Sequence, residues 1–303
     1  MSPDPATIID RRRLKRRLNF WRIVALVAVV SAVLAAVGRF GDSGFRDHIA
    51  RLEVSGIILD DPARDDALKR AAEDDRVRAM IVAIDSPGGT FVGGESLYKS
   101  LRAVAEKKPV VAVMAGTATS AAYMTALAAD HVLARNGTVT GSIGVIMQTA
   151  DVTGLLEKLG IKPETVKSGP LKAQPNPMEP FSPAAREATQ LIIKDLFEMF
   201  VDMVVERRGL ERDQVLRLAD GRVFSGRQAK AGGLVDAIGA EREARQWLVA
   251  KHDIDADLRI EDVEIKDEDE PWRRIIGSMI GKTLFSERLR LDGVLSVWQP
   301  ELR

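Results

Sequence analysis

The sequence contains no cysteine and only three histidines, His48, His131 and His252. The first absence removes disulfides, thiolate nucleophiles and cysteine-ligated zinc, and it fits either redox compartment. The second leaves little material for a histidine base. There is no H-E-x-x-H pair, so no metal is expected and a zinc enzyme is disfavoured. Neither sign of charge prevails, since 44 Lys+Arg face 44 Asp+Glu. A chain with no net charge presents no overall basic field to nucleic acid, and no interleaved aromatic and basic run offers stacking platforms for bases. Apolar residues are plentiful, at 46% of 303. That is too many for a disordered chain and enough for one large domain with appendages or two small ones.

Residues 11–22, RRRLKRRLNFWR, carry positive charge and no negative charge, and residues 23–38, IVALVAVVSAVLAAVG, carry none at all. As a helix the second stretch spans about 24 Å. A bilayer core is about 30 Å thick, so the flanks must help: Phe20 and Trp21 suit the interface, and Arg22 and Arg39 can snorkel. The expectation is a basic cytoplasmic segment over 1–17 and a single-pass anchor over 18–39 that contacts membrane lipid. The positive-inside rule then leaves the rest of the chain outside the cell or inner membrane. A cleaved signal peptide would have similar regions, with Ala36-Val37-Gly38 as its weak cleavage site. A buried helix of a soluble protein does not account for the arginine block.

A polar linker (40–48) leads into alternating patterns. Strand character marks 49–59, 77–86 and 109–116, the latter two as near-continuous apolar runs suited to strands buried on both faces. Helical patterns mark 62–75, 94–108 and 120–130. HVLA (131–134) and SIGVIM (142–147) are further strand candidates. Such alternation predicts an α/β fold of repeated βαβ units around a parallel sheet. A long proline-rich loop (163–183) interrupts it, and loops of that length inside compact domains are often functional. Ser182 then reads as an N-cap and Pro183 as the first residue of a helix running to Gly209. The folded domain is expected over 49–250. A C-terminal tail over 251–303 would carry an amphipathic helix at RRIIGSMIGKTLF.

Three local matches carry little. GSMIGKT (277–283) has one residue too few between its glycines for a phosphate-binding P-loop, and no buried strand precedes it. SLYK (96–99) matches S-x-x-K, but its companion motifs are missing and it falls on an ordinary crossover helix. His131 falls in a core strand, where a lone histidine is usually structural.

Three other pieces stand out together. Asp85-Ser86-Pro87-Gly88-Gly89 ends a buried strand, and its glycines permit a tight turn that points N–H groups outward, toward a developing oxyanion. Ser120 follows another buried strand among Ala118, Thr119, Ala121 and Ala122, at the end of the sheet where α/β proteins place their sites. The dipole of the helix it opens favours negative charge there, yet serine is also an ordinary N-cap. KSGPLKAQPNP (167–177) supplies lysines, and burial can leave a lysine amine neutral enough to act as a base. A solvated surface lysine is the simpler reading of any one of them.

Taken in order, D-S-P-G-G, the small-residue serine turn with Tyr123, TGSIGV (140–145), S-G-x-x-K and DGRVFSGRQAKAGGLVDAIG (220–239) resemble the signal peptide peptidase A family. These are membrane-anchored serine–lysine peptidases with a fold like crotonase and the Clp protease. The resemblance covers residues 50–245 and matches the short, single-domain form. It implies Ser120 as nucleophile, Lys172 as general base, Gly89 and the amide of Ala121 as oxyanion hole, and Ser142 as the serine that orients the lysine. It implies no cofactor. It also implies a homo-oligomeric ring in which serine and lysine come from adjacent protomers, acting on remnant signal peptides and other extended apolar peptides. The family usually has S-G-G-Y after the nucleophile, and Ser120-Ala121-Ala122-Tyr123 departs from that, narrowing the cleft. Two rivals stand beside this reading: a crotonase-like acyl-CoA enzyme with the same oxyanion geometry, and a membrane ring scaffold without catalysis.

Overall fold

The computed structural model describes residues 17–31 and 46–265, and the backbone of 295–297. Two compact units are present, Met1–Asp47 and His48–Arg303. In the first unit, helix α1 (17–31) is exposed throughout. At 1.5 Å per residue it rises about 22 Å, and among the described residues no helix is long and apolar enough to cross a membrane. The expected anchor therefore coincides with a described helix only over 18–31. Residues 32–39, most of the linker and the amphipathic helix expected in the tail lie outside the described residues.

The second unit is built on three long parallel strands, β1 (His48–Ile58), β2 (Val77–Thr90) and β3 (Val110–Thr119). Helices α2 (Pro62–Glu73) and α3 (Phe91–Ala105) make the crossovers between them. One edge of β3 is shared: residues 111–114 pair with β4 (His131–Ala134) and 117–119 with β5 (Val139–Gly141). Helix α4 (Ala121–Ala126) connects β3 to β4. Beyond β5 come α5 (Thr153–Lys158), the proline-rich loop, α6 (Pro183–Arg208) and α7 (Arg212–Leu218). Strand β6 (Val223–Ser225) returns antiparallel to β5, followed by α8 (Gly226–Ala231), and β7 (Ala237–Ile238) joins β4. Helix α9 (Glu241–His252) leads to β8 (Arg259–Asp262), which extends the sheet beside β1. The short β9 (Leu295–Val297) lies antiparallel to Gly88–Thr90 of β2.

The apolar runs in β2 and β3 form strands because both faces are covered. Met80, Val82 and Ile84 join the main core, with Leu97 and Leu101 of α3 and Phe200 and Val204 of α6. Ala79 and Ile81 point the other way, onto Ala244 and Leu248 of α9. Helix starts follow their capping signals. The side chains of Asp61, Thr90 and Ser182 each accept an N–H from the first turn of α2, α3 and α6, a contact typically worth about 1 kcal/mol. Gly209, at φ 62°, stops α6.

Three local expectations are corrected. Residues 86–89 do not turn; β2 continues to Thr90 after register shifts against both neighbours. The Ser86 hydroxyl holds that irregularity, donating to Gly56 O at 2.6 Å and accepting from Gly88 N at 3.1 Å. The helix expected over 120–130 is regular only over Ala121–Ala126. SIGVIM is not a strand: Gly141 and Ser142 both have positive φ, 84° and 50°, and the chain leaves the extended region there.

Candidate active site

The site forms where β3 separates from β2. Their last paired residues are Ser86 and Ala118. The next hydroxyl, Thr119 Oγ1, donates to Pro87 O at 3.0 Å and ties the glycine segment to the end of β3. Ser120 follows, buried, at φ 57° and ψ −119°. A capping serine has extended backbone and accepts an N–H through its side chain, as Ser182 does. Ser120 does neither. Its backbone lies in a region that a non-glycine residue occupies at a cost of about 1–3 kcal/mol, and such strain concentrates at functional sites. Ser120 is therefore not an ordinary N-cap of α4.

Gly89 sits opposite Ile58 of β1, so close that a Cβ would lie 1.8 Å from the Ile58 carbonyl oxygen. Only glycine lets the two strands close at that point. With β1 on one edge of Gly88–Thr90, the other edge, which β3 has vacated, is the one β9 occupies. The same backbone that carries Gly89 therefore accepts an extended segment.

Ala121 opens α4, where the first N–H groups have no acceptor within the helix. Every residue of α4 is buried. Tyr123 anchors it by donating to Leu234 O at 2.9 Å, and burial pushes the phenol well above its ordinary pKa. Ser142 reaches the site through β5. Thr119 pairs with Gly141, and Ser120 N–H donates to Gly141 O at 2.8 Å. Ser142 then turns out of the strand with its N–H on Arg222 O, and is half-buried. Gly89, Ser120, Ala121 and Ser142 are thus brought to one end of the sheet.

Lys172 is not joined to them. It lies in the proline-rich loop, exposed, and among the described residues its side chain makes no hydrogen bond or ion pair. The S-x-x-K match resolves as structure: Ser96 donates to Asp65 at 2.6 Å and Lys99 pairs with Glu95. His131 stacks on Trp247 at 4.8 Å, and burial holds its pKa below the usual imidazole value. Two hydroxyls that hold the site together, those of Ser86 and Thr119, lie within the motifs that drew attention, but their hydrogen bonds were not foreseen from sequence.

Residues 102–255 match the model of peptidase family S49. A Synechocystis protein named "Putative protease slr0021" is 38% identical over 234 residues, 77% of this chain and 84% of that one. The "Serine protease SPPA, chloroplastic" of Arabidopsis thaliana is 29% identical over 93% of this chain, which spans 44% of its length. "Protease 4" of Salmonella typhi is 33% identical over 57% of this chain, which spans 28% of its length. Among solved structures, a point mutant of ClpP1 from Listeria monocytogenes aligns with a TM-score of 0.43 and 20% identity over 64% of this chain and 92% of its own.

Proposed function

Because the chain belongs to peptidase family S49 and is a serine peptidase, we propose that Ser120 is its nucleophile and Lys172 its general base. The observation that carries the assignment of Ser120 is its strained backbone beside the Gly88–Thr90 edge. A peptide laid along that edge as a strand would present its carbonyl carbon to Ser120 Oγ. The neutral amine of Lys172 takes the hydroxyl proton as the Oγ–C bond forms. The carbonyl oxygen becomes an oxyanion held by the N–H groups of Gly89 and Ala121. The ammonium returns the proton to the leaving nitrogen as the C–N bond breaks, and the amine then deprotonates the water that hydrolyses the acyl-enzyme. Ser142 orients the amine. No cofactor enters.

The exposure of Lys172 within one chain supports a dyad completed by a second copy. A lysine amine becomes a base at neutral pH when burial disfavours its charge. Leu159, Ile161, Val166 and Leu171, exposed in the same stretch of chain, supply apolar surface that a neighbouring protomer of a ring would cover. Residues 18–39 anchor the particle to the membrane, with the N-terminus cytoplasmic and the catalytic domain on the other side. The substrates are remnant signal peptides and other extended, apolar segments with small or aliphatic residues at the cut.

The test is labelling by a fluorophosphonate and cleavage of an apolar peptide by the full chain in detergent. Label on Ser120, with cleavage lost in both Ser120→Ala and Lys172→Ala, supports the dyad. Cleavage that persists in either variant contradicts it. An absence of any activity in assembled wild type would favour a scaffold.

A further inference from the structure

The loop that carries Lys172 is closed by one carboxylate. Glu179 accepts from Lys167 Nζ and, at 2.6 Å, from Gln174 Nε2, and Thr165 adds a third hydrogen bond. The Lys167–Glu179 pair is half-buried, with side-chain exposures of 14% and 24%. These donors flank Lys172 on both sides in the sequence. Between them the backbone is folded on itself: Lys172 N–H donates to Gly169 O, Gln174 N–H to Leu171 O, and Asn176 Nδ2 to Ala173 O. The Pro177 carbonyl accepts from Val152 N–H and fixes the loop to the start of α5. Lys172 is left as the cation of this loop that Glu179 does not hold.

We infer that Glu179 is the positioning residue for the general base. It clasps Lys167 and Gln174, fixes the loop on either side of Lys172, and keeps its own negative charge committed elsewhere. The inference rests on the reading of Lys172 as the base. Its logic is electrostatic as well as mechanical. A carboxylate that approached Lys172 would favour the ammonium form and disable the base. Lys167 absorbs that charge, and holds the Glu179 carboxyl below the usual carboxylate range, so the clasp stays shut at neutral pH. A loop without the clasp would present Lys172 less firmly to a neighbouring copy and leave its amine less completely covered there.

The experiment follows the rate of fluorophosphonate labelling of Ser120 against pH in the assembled full chain. It compares wild type, Glu179→Gln, Lys172→Ala and the double variant. Glu179→Gln is expected to slow labelling about ten- to a hundredfold at neutral pH and to move the acid limb of the profile up by about one pH unit. In the Lys172→Ala background it should slow labelling no further, because a residue acting through another adds nothing once the other is gone. An unmoved acid limb, or equal slowing in both backgrounds, overturns the positioning role and leaves the dyad intact. Wild-type labelling in Lys172→Ala would instead overturn the dyad. Should Glu179→Gln fail to assemble, Lys167→Met breaks the same clasp and is read by the same criteria.

Discussion

The N–H of Ser120 donates to the carbonyl of Gly141 across 2.8 Å. This one bond joins the end of β3 to the end of β5. It fixes the serine in its strained conformation and delivers Ser142 one residue further on. The arrangement depends on backbone, so its consequences can be tested by changing backbone preference as well as side chains.

Ser120→Gly and Ser120→Ala both remove the hydroxyl, but only glycine adopts φ 57° and ψ −119° without strain. Both variants should lose labelling and cleavage. Ser120→Gly should be the more stable by about 1 kcal/mol, after the larger entropy of the unfolded glycine chain is set against the relieved strain. Chemical denaturation of the two proteins side by side measures it.

Helices α3 and α4 meet at a glycine. A Cβ on Gly94 would lie 2.9 Å from Ala121 Cβ and 3.2 Å from Met124 Sδ. Gly94→Ala should cost about 1–3 kcal/mol through overpacking and should slow acylation by shifting Ala121. Adding Ala121→Gly should recover part of both losses. A double-mutant cycle in stability and labelling rate that showed simple additivity would refute the contact.

Asp236 ties α6 to the sheet. It accepts from Arg208 through both oxygens, at 2.7 and 3.0 Å, and from Val132 N–H at 2.7 Å. Burial opposes its charge, but these donors prevail and hold the carboxyl below its ordinary pKa. A depressed folded pKa contributes stability that is present above the unfolded value, about 3.9, and is lost as pH falls through the folded one. Asp236→Asn should therefore cost about 3 kcal/mol at neutral pH and flatten the loss of stability below about pH 4. Denaturant titrations at both pH values check the sign.

Strand β9 occupies the edge of Gly88–Thr90, the segment that carries Gly89. A chain ending at residue 294 should leave that edge open to peptide. The expected outcome is a lower KM for an extended peptide with kcat unchanged. An unchanged KM would mean that β9 does not compete with peptide for this edge.

Much of this was legible in the sequence. The apolar runs of β2 and β3 suited strands covered on both faces, and Ser182, Pro183 and Gly209 marked helix ends by chemistry that acts locally. Ser120 was visible but ambiguous, because serine suits both a cap and a nucleophile. The backbone angles that exclude an ordinary cap depend on β5 and on the bond to Gly141. The continuation of β2 through Pro87 and Gly88 was hidden because those residues signal a turn unless Ser86 and Gly56 brace them. Glu179 left no local signature, since its partners lie at irregular spacings across a loop. The setting of Lys172 was illegible for another reason, in that nothing among the described residues covers it.

The central claim is that Ser120 of one protomer works with Lys172 of its neighbour. The direct measurement is peptide cleavage by particles reassembled from equal amounts of Ser120→Ala and Lys172→Ala chains. Each variant is inactive alone if both residues are required. With the dyad shared across protomers, about a quarter of the sites in a random mixture pair an intact serine with an intact lysine, and activity should return to about that fraction of wild type. Mixed particles that remain as inactive as the separate variants would contradict the account.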